Sequence, residues 1–474
     1  MLNKTVLVTA LAAVLANAAP ACAAESDELA AIRAQVNALR ESYEARIQAL
    51  EKRLKDSETA LANPTPAPLT VDAKQTPVAY SAAAAAPSPA NASAPAASGF
   101  NPSVSLILGG GYANLSQDPN RYRIQGFLPG GEVGPGKRGF NLGESELTLA
   151  ASIDPQFAGR LTFSLTPENT VSVEEAFFQT TALANGFNLK AGRFLSGVGY
   201  LNAQHAHTWD FVDAPLAYQA FFAGQYKPDG AQLLWLAPTE RFIELGLELG
   251  RGATFPGSER TRNGIGSSAV FAHIGDDIGA AASYRAGLSY LRTSAVQRRF
   301  DDTDRNGGAV VNAYTGNSAT WIADAVYKWS PNGNPVQTNF KLQGEYFRRT
   351  DRGSLAHDVG SQGDPGSTGG YRGAQSGWYL QGVYQFTAGW RAGLRYDLLH
   401  SGDASIGAGL DPRDFSRLAA WNPRRATVML DYSPSEFSRF RLQFAQDRAR
   451  PEATDNQIFL QYIMSLGAHG AHTF

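Results

Sequence analysis

From residue 100 almost to its end, the chain alternates apolar and polar residues in segments of about ten residues. In 241–250 (RFIELGLELG), Ile243, Leu245, Leu247 and Leu249 fall on one face of an extended strand, and Glu244, Gly246 and Glu248 on the other. In 389–399 (GWRAGLRYDLL), Trp390, Ala392, Leu394, Tyr396 and Leu398 oppose Arg391, Gly393, Arg395 and Asp397. Phe340, Leu342 and Tyr346 oppose Lys341, Gln343 and Glu345 in the same way. A period of two belongs to strands, because a helix returns a side chain to the same face only every three or four residues. No long amphipathic helix and no long apolar run interrupts the pattern, so an all-β fold is expected.

Sixteen such segments can be counted, from 103–114 to 456–466. Their connections alternate in length. Tight turns are expected at DPQFAG, LANG, APTE, GDD (275–277), SPNGNP, TAG and SPSEF. Long polar connections occupy 115–140, 196–229, 251–266, 294–317, 351–374 and 401–422. Short turns on one rim and long loops on the other are the pattern of a transmembrane β-barrel. Lipid cannot pair with backbone polar groups, so a spanning sheet must close on itself. A mean hydropathy of −0.25 does not conflict with this, because a barrel averages its lipid face against its lumen. An even strand number places both barrel ends on the short-turn rim.

The first hundred residues have a different composition. Residues 1–24 resemble a secretory signal: Lys4, then the apolar VLVTALAAVLA, then a small-residue cleavage site around Ala21-Cys22-Ala23. Cys22 is the single cysteine, so a disulfide framework is excluded. Residues 25–61 space Leu29, Ile32, Val36, Leu39 and Tyr43 three and four apart, which predicts a short N-terminal coiled-coil helix. Residues 62–99 are rich in Ala and Pro and read as an extended linker. The expected fold class is therefore a 16-stranded antiparallel transmembrane β-barrel over 100–474, preceded by a coiled coil. The formal net charge of −2 leaves no footprint for nucleic acid. No GxSxG or HExxH string is present, and GPGKRG at 134–139 precedes no helix, so no enzyme is expected.

With a signal, a coiled coil, an Ala/Pro linker and sixteen strands, the layout resembles trimeric porins of the phosphate-selective porin O/P type. The segment VEEAFFQTTALANGFNLKAGRFLSGVGYL (173–201) is similar to that family's strand–turn–strand with Gly-Arg-Phe before the third loop. The resemblance implies a homotrimer in the bacterial outer membrane, in contact with lipid and lipopolysaccharide. The terminal aromatic Phe474, after the alternating QIFLQYIMSL, is expected to be recognised by the barrel-assembly machinery, and a tether to the cell wall through the coiled coil is a competing reading. The expected function is passive diffusion of small polar or charged solutes. The alternative is a receptor or transporter for a metal such as zinc, possibly energy-coupled.

In such porins the loop after the fifth strand folds inward, which makes 196–229 the expected constriction. It carries His205, His207, Asp210 and Asp213, and no Lys or Arg before Lys227. Cations at the constriction would suit phosphate, and their absence argues against it. Polar strand faces put Arg285, Arg391, Arg395, Arg439 and Arg441, with Glu244 and Glu248, in the lumen. Acids on an inward loop facing an arginine wall would set a transverse field that governs charge selectivity; pairing of these arginines with Glu248, Asp397 or Asp431 is the alternative. No resident cofactor is expected. Two low-cost metal readings arise from spacing. His205 and His207, with Asp210, form a zinc-like set. His469 and His472 form a second pair near the C-terminus. Asp302, Asp304 and Asn306 resemble the start of a calcium loop, although Ala313 stands where its last acid belongs.

Overall fold

The structure, a computed structural model, describes residues 102–467 except 129, 132, 167–168, 260–261 and 360–366. The expected signal, coiled coil and linker lie outside these residues, as do His469, His472 and Phe474. Sixteen strands form one sheet. They are β1 (Ser103–Leu115), β2 (Ser145–Ser152), β3 (Phe157–Leu165), β4 (Val171–Thr180), β5 (Phe187–Arg193) and β6 (Asp229–Leu236). Next come β7 (Phe242–Gly250), β8 (Ser267–Ile278), β9 (Ala282–Thr303), β10 (Ala309–Trp329) and β11 (Asn339–His357). The last are β12 (Ser367–Thr387), β13 (Trp390–His400), β14 (Arg424–Ser435), β15 (Ser438–Arg450) and β16 (Ala453–Gly467). Two short pieces extend the sheet. Gly139–Leu142 continues β2 along β1, and Ser405–Ile406 lies against Tyr371 and Arg372 of β12.

Neighbours in sequence pair antiparallel, and β1 pairs β16 from Ser105↔Gly467 to Leu115↔Gln457. The sheet therefore closes into a 16-stranded barrel without an edge. Both barrel ends sit on the short-turn rim, since Ser103 pairs Ala150 beside the 153–156 turn.

Burial is inverted relative to a water-soluble protein. Leu394 is 65% exposed, Leu288 53% and Trp321 50%, while Arg349, Asp351 and Asp397 are fully buried. Charged groups line the interior and apolar groups the outside, strand after strand. Outward aromatics gather at two heights. Tyr284, Tyr384, Trp390, Tyr432, Phe440 and Tyr462 lie near the short turns, and Trp321, Tyr346 and Tyr396 higher. Neighbouring rings pack together within each row, stacked in Trp390–Tyr432 at 4.6 Å and tilted in Tyr290–Trp321 at 4.7 Å. Six residues separate Trp390 from Tyr396, about 20 Å of strand. Such paired aromatic belts flank the apolar band of membrane barrels.

Two expectations about connections need correction. The turn between β8 and β9 is not GDD. Asp276 and Asp277 stay in the ladder opposite Tyr284 and Ser283, and the chain reverses at Gly279, whose φ is +62°. The connections at 294–317 and 351–374 are not loops for most of their length. Strands β9 to β12 run for 22, 21, 19 and 21 residues, because alternation persists through their polar stretches. Thr293, Ala295, Arg298, Phe300 and Asp302 all point inward, with a bulge at Gln297 resetting the phase.

Candidate functional site: an inward loop pinned to both walls

The β5–β6 connection is the longest in the described barrel, and it lies inside the lumen. Its base is closed by Arg193, which donates two hydrogen bonds to Asp229 at 2.6 and 3.0 Å. Asn202 ties the two limbs together. Its amide donates to Ser196 O and Tyr226 O at 2.8 and 2.9 Å and accepts from Tyr226 N at 2.7 Å. Beyond that point the chain makes a 3-10 turn, Ala206–Thr208, and a short helix, α1 (Leu216–Phe222). Every residue of α1 is buried. This helix therefore carries no amphipathic stripe, and no helical period marks it in the sequence.

The loop touches strands on opposite sides. His205 meets β4 at Glu174 and Glu175, and the Tyr218 ring lies 6.3 Å from Tyr379 of β12. β4 and β12 are eight strands apart in a ring of sixteen, so the loop crosses the whole lumen. Its apolar seat was not foreseen. Phe271, Leu291, Ile322, Phe347, Tyr379 and Leu399 break the polar phase of six successive strands and form a belt. Phe221 stacks on Phe347 at 5.6 Å, and Phe127, from the first long connection, closes over it. The signal was available: inward positions of β8 to β13 that are apolar at one height.

Glu345 of β11 holds the start of the loop. Tyr200 N and Leu201 N each donate to it at 3.0 Å, Tyr218 Oη at 2.8 Å and Tyr379 Oη at 2.6 Å. Gly199 is required here, because its φ is +71° and a Cβ would stand 2.4 Å from Glu345 Oε2. Replacing Glu345 by Ala strands four buried donors, each costing roughly 1–3 kcal/mol. The expected result is a barrel that still folds, as read by heat-modifiable mobility on gels, but whose 196–224 segment is cut by added protease. Equal protease resistance in the variant and parent would contradict this role.

Asp210 and Asp213 do not face the arginines across an opening; they pair with them. Asp210 meets Lys341 at 2.5 Å and Arg391 at 3.1 Å. Asp213 meets Arg395 at 2.9 Å and Arg425 at 2.6 Å, and accepts from Gln443 at 2.9 Å. Arg391 is shared with Asp431, and Arg395 with Asp397. Arg441 and Arg439 donate to Trp209 O at 2.8 and 3.4 Å. Asp397 also accepts from Leu216 N at 2.9 Å, which anchors the start of α1. Arg391 with Asp431 and Arg395 with Asp397 are pairs that the alternative to a transverse field names, whereas Glu248 is bound by Ser196, Gly197 and Gln232. Arg285 stands apart, 3.7 Å from Asp324 and stacked over Tyr200. Glu248 accepts from Ser196 Oγ at 2.5 Å and Gly197 N at 2.9 Å, and Glu244 lies 2.9 Å from His273.

The histidines meet the other wall. His205 Nδ1 lies 3.2 Å from both Glu146 and Glu174, its Nε2 3.1 Å from Glu175, and His207 Nδ1 2.9 Å from Glu146. Asp210 points away from them, so it does not complete a set with the histidines. Asp302, Asp304 and Asn306 do not converge either. Asp302 accepts from Ser416 and Arg417, whereas Asp304 caps its own turn through Asn306 N and Gly308 N. Glu146, Glu174, Glu175, Glu345 and Arg425 also belong to the site, and no motif or spacing marks them. Glu146, Glu345 and Arg425 sit on the inward phase of their strands, which is the one signal the sequence offers for them; Glu174 and Glu175 are adjacent, and both are buried because a bulge at Glu174 breaks the alternation of β4.

No family model matches the chain. It is 29% identical over 405 residues to an uncharacterized protein of Aquifex aeolicus (strain VF5), covering 79% of this chain and 80% of that one. Similar solved structures include in-vitro folded OmpT, an outer membrane protein of Vibrio cholerae, in its trimer form (TM-score 0.48, 10% identity, 77% of this chain and 99% of that one). Others are the anion-selective porin of Comamonas acidovorans (0.46, 11%, 77% and 99%) and the outer membrane channel DcaP of Acinetobacter baumannii (0.43, 11%, 77% and 97%). These comparisons do not single out a phosphate-selective porin.

Proposed function

We propose that the chain is an outer-membrane channel for small polar or charged solutes, with the loop between β5 and β6 as its constriction. The observation that carries this reading is the inversion of burial: apolar outside between two aromatic belts, charged inside. Only a wall between lipid and a polar interior rewards that arrangement. The loop crosses the interior and is pinned by side chains at both ends, so the width of the path is governed by the loop rather than by the barrel. A homotrimer fits this reading, in line with the OmpT trimer form.

Planar-bilayer recording of the full chain tests the proposal. Conductance rising in triplets, with a measurable reversal potential in a salt gradient, is the expected result. A correctly folded protein that inserts and conducts nothing would overturn it.

A further inference from the structure

We propose that His205, His207 and Glu146 bind a divalent transition metal, zinc being the best match, and that this ion clamps the loop to the β2–β4 wall. Two imidazole nitrogens and a carboxylate oxygen, one from each of these residues, lie within 4.8 Å of one another. The Glu146 carboxylate bridges the two rings, with Oε2 toward His205 Nδ1 at 3.2 Å and Oε1 toward His207 Nδ1 at 2.9 Å. Glu174 Oε2 also lies 3.2 Å from His205 Nδ1, at the edge of this set. Two histidines and carboxylate oxygens are a donor set of the kind zinc takes.

A second observation points the same way. Both nitrogens of His205 face carboxylates, and a neutral imidazole has only one N–H to give. Nε2 is directed at Glu175 Oε2, 3.1 Å away. That contact is the carboxylate–histidine pairing that orients metal-binding imidazoles. In the neutral ring, an N–H given from Nε2 to Glu175 turns the Nδ1 lone pair toward the space between Glu146 and Glu174, where a cation would be ligated. Glu174 is further held by Lys227 at 3.3 Å, and Arg160 lies 3.8 Å from Glu175. The two rings stack at 5.6 Å across the 3-10 turn, so one short segment presents both Nδ1 atoms together. The third ligand comes from a strand far earlier in the chain, a partner that sequence spacing cannot reveal.

The test uses the full-length protein in detergent, stripped with EDTA and titrated with zinc chloride against a chromophoric zinc chelator. One zinc per chain is expected. It should be retained in a His469→Ala, His472→Ala variant and lost in a His205→Ala, His207→Ala variant. Heat-modifiable gel mobility confirms that each variant folds. Glu175→Gln leaves the ligands in place and should weaken binding by roughly 10-fold or more. Zinc affinity unchanged in the His205, His207 variant and in Glu175→Gln, or no uptake at micromolar zinc by the parent, would overturn the proposal. The cluster would then be an imidazolium held by carboxylates. The clamping role rests on the channel reading, and zinc should lower conductance relative to EDTA in the parent and in the His469→Ala, His472→Ala variant, and not in the His205→Ala, His207→Ala variant. A protein that binds zinc but conducts nothing would retain the site and refute the channel.

Discussion

Excising residues 203–224 and joining the limbs with a short Gly-Ser link raises single-channel conductance several-fold. The limbs are already tied at that height by Asn202 and Tyr226, and at the base by Arg193 and Asp229, so the link closes a gap the fold has set. The excision removes α1 and the side chains of Trp209, Phe211, Tyr218, Phe221 and Phe222, all of which fill the lumen. It also bares the belt from Phe271 to Leu399. Each such side chain loses roughly 1.5–3 kcal/mol of apolar burial. The barrel tolerates this because its closed ladder of backbone hydrogen bonds does not pass through the loop. Single-channel recording reads the outcome. Conductance equal to the parent's would remove the loop from the solute path.

Replacing Asp210 and Asp213 together by Asn shifts selectivity toward anions and loosens the loop. Two negative charges disappear from beside Lys341, Arg391, Arg395 and Arg425, and those cations are left facing the lumen. Breaking a buried pair by removing one partner typically costs 3–5 kcal/mol, of order enough to free the segment on this wall. Acid tests the same contact without mutation. Burial alone would push the Asp213 carboxyl up, but Arg425 and Arg395 outweigh it and hold its pKa below the usual carboxylate range. A depressed carboxylate stabilises the fold above its unfolded pKa of about 3.9, and that stabilisation is lost only as pH falls through the folded value. The contact is thus intact from neutrality down past about pH 4. Reversal potentials in a salt gradient give the measurement. A double variant with the parent's selectivity and protease resistance would contradict the assignment.

Much of the architecture was readable because a barrel writes its two faces into alternate residues. Arg391, Arg395 and Asp397 were placed inward, and Trp390 and Leu394 outward, with no knowledge of their neighbours. Turns were less legible. At GDD the polar residues suggest a reversal, but a strand on an open polar rim accepts Asp276 and Asp277, and Gly279, two residues after Asp277, supplies the left-handed backbone. In the hairpins β9–β10 and β11–β12 the distal stretches 294–317 and 351–374 look like loops by their polarity, yet alternation continues through most of them.

The site itself was legible only as residue types on one long connection. The sequence by itself determined a closed antiparallel barrel, the inward and outward faces over the regular part of its strands, and that 196–229 carries histidines and acids. Only the tertiary structure decided what those residues meet: Asp213 with Arg425, His207 with Glu146, and Tyr218 with Glu345. The reason is physical. Periodicity is local and sets the direction of each side chain, but the height at which a crossing loop meets each wall depends on barrel closure and strand register, which couple residues tens to hundreds of positions apart.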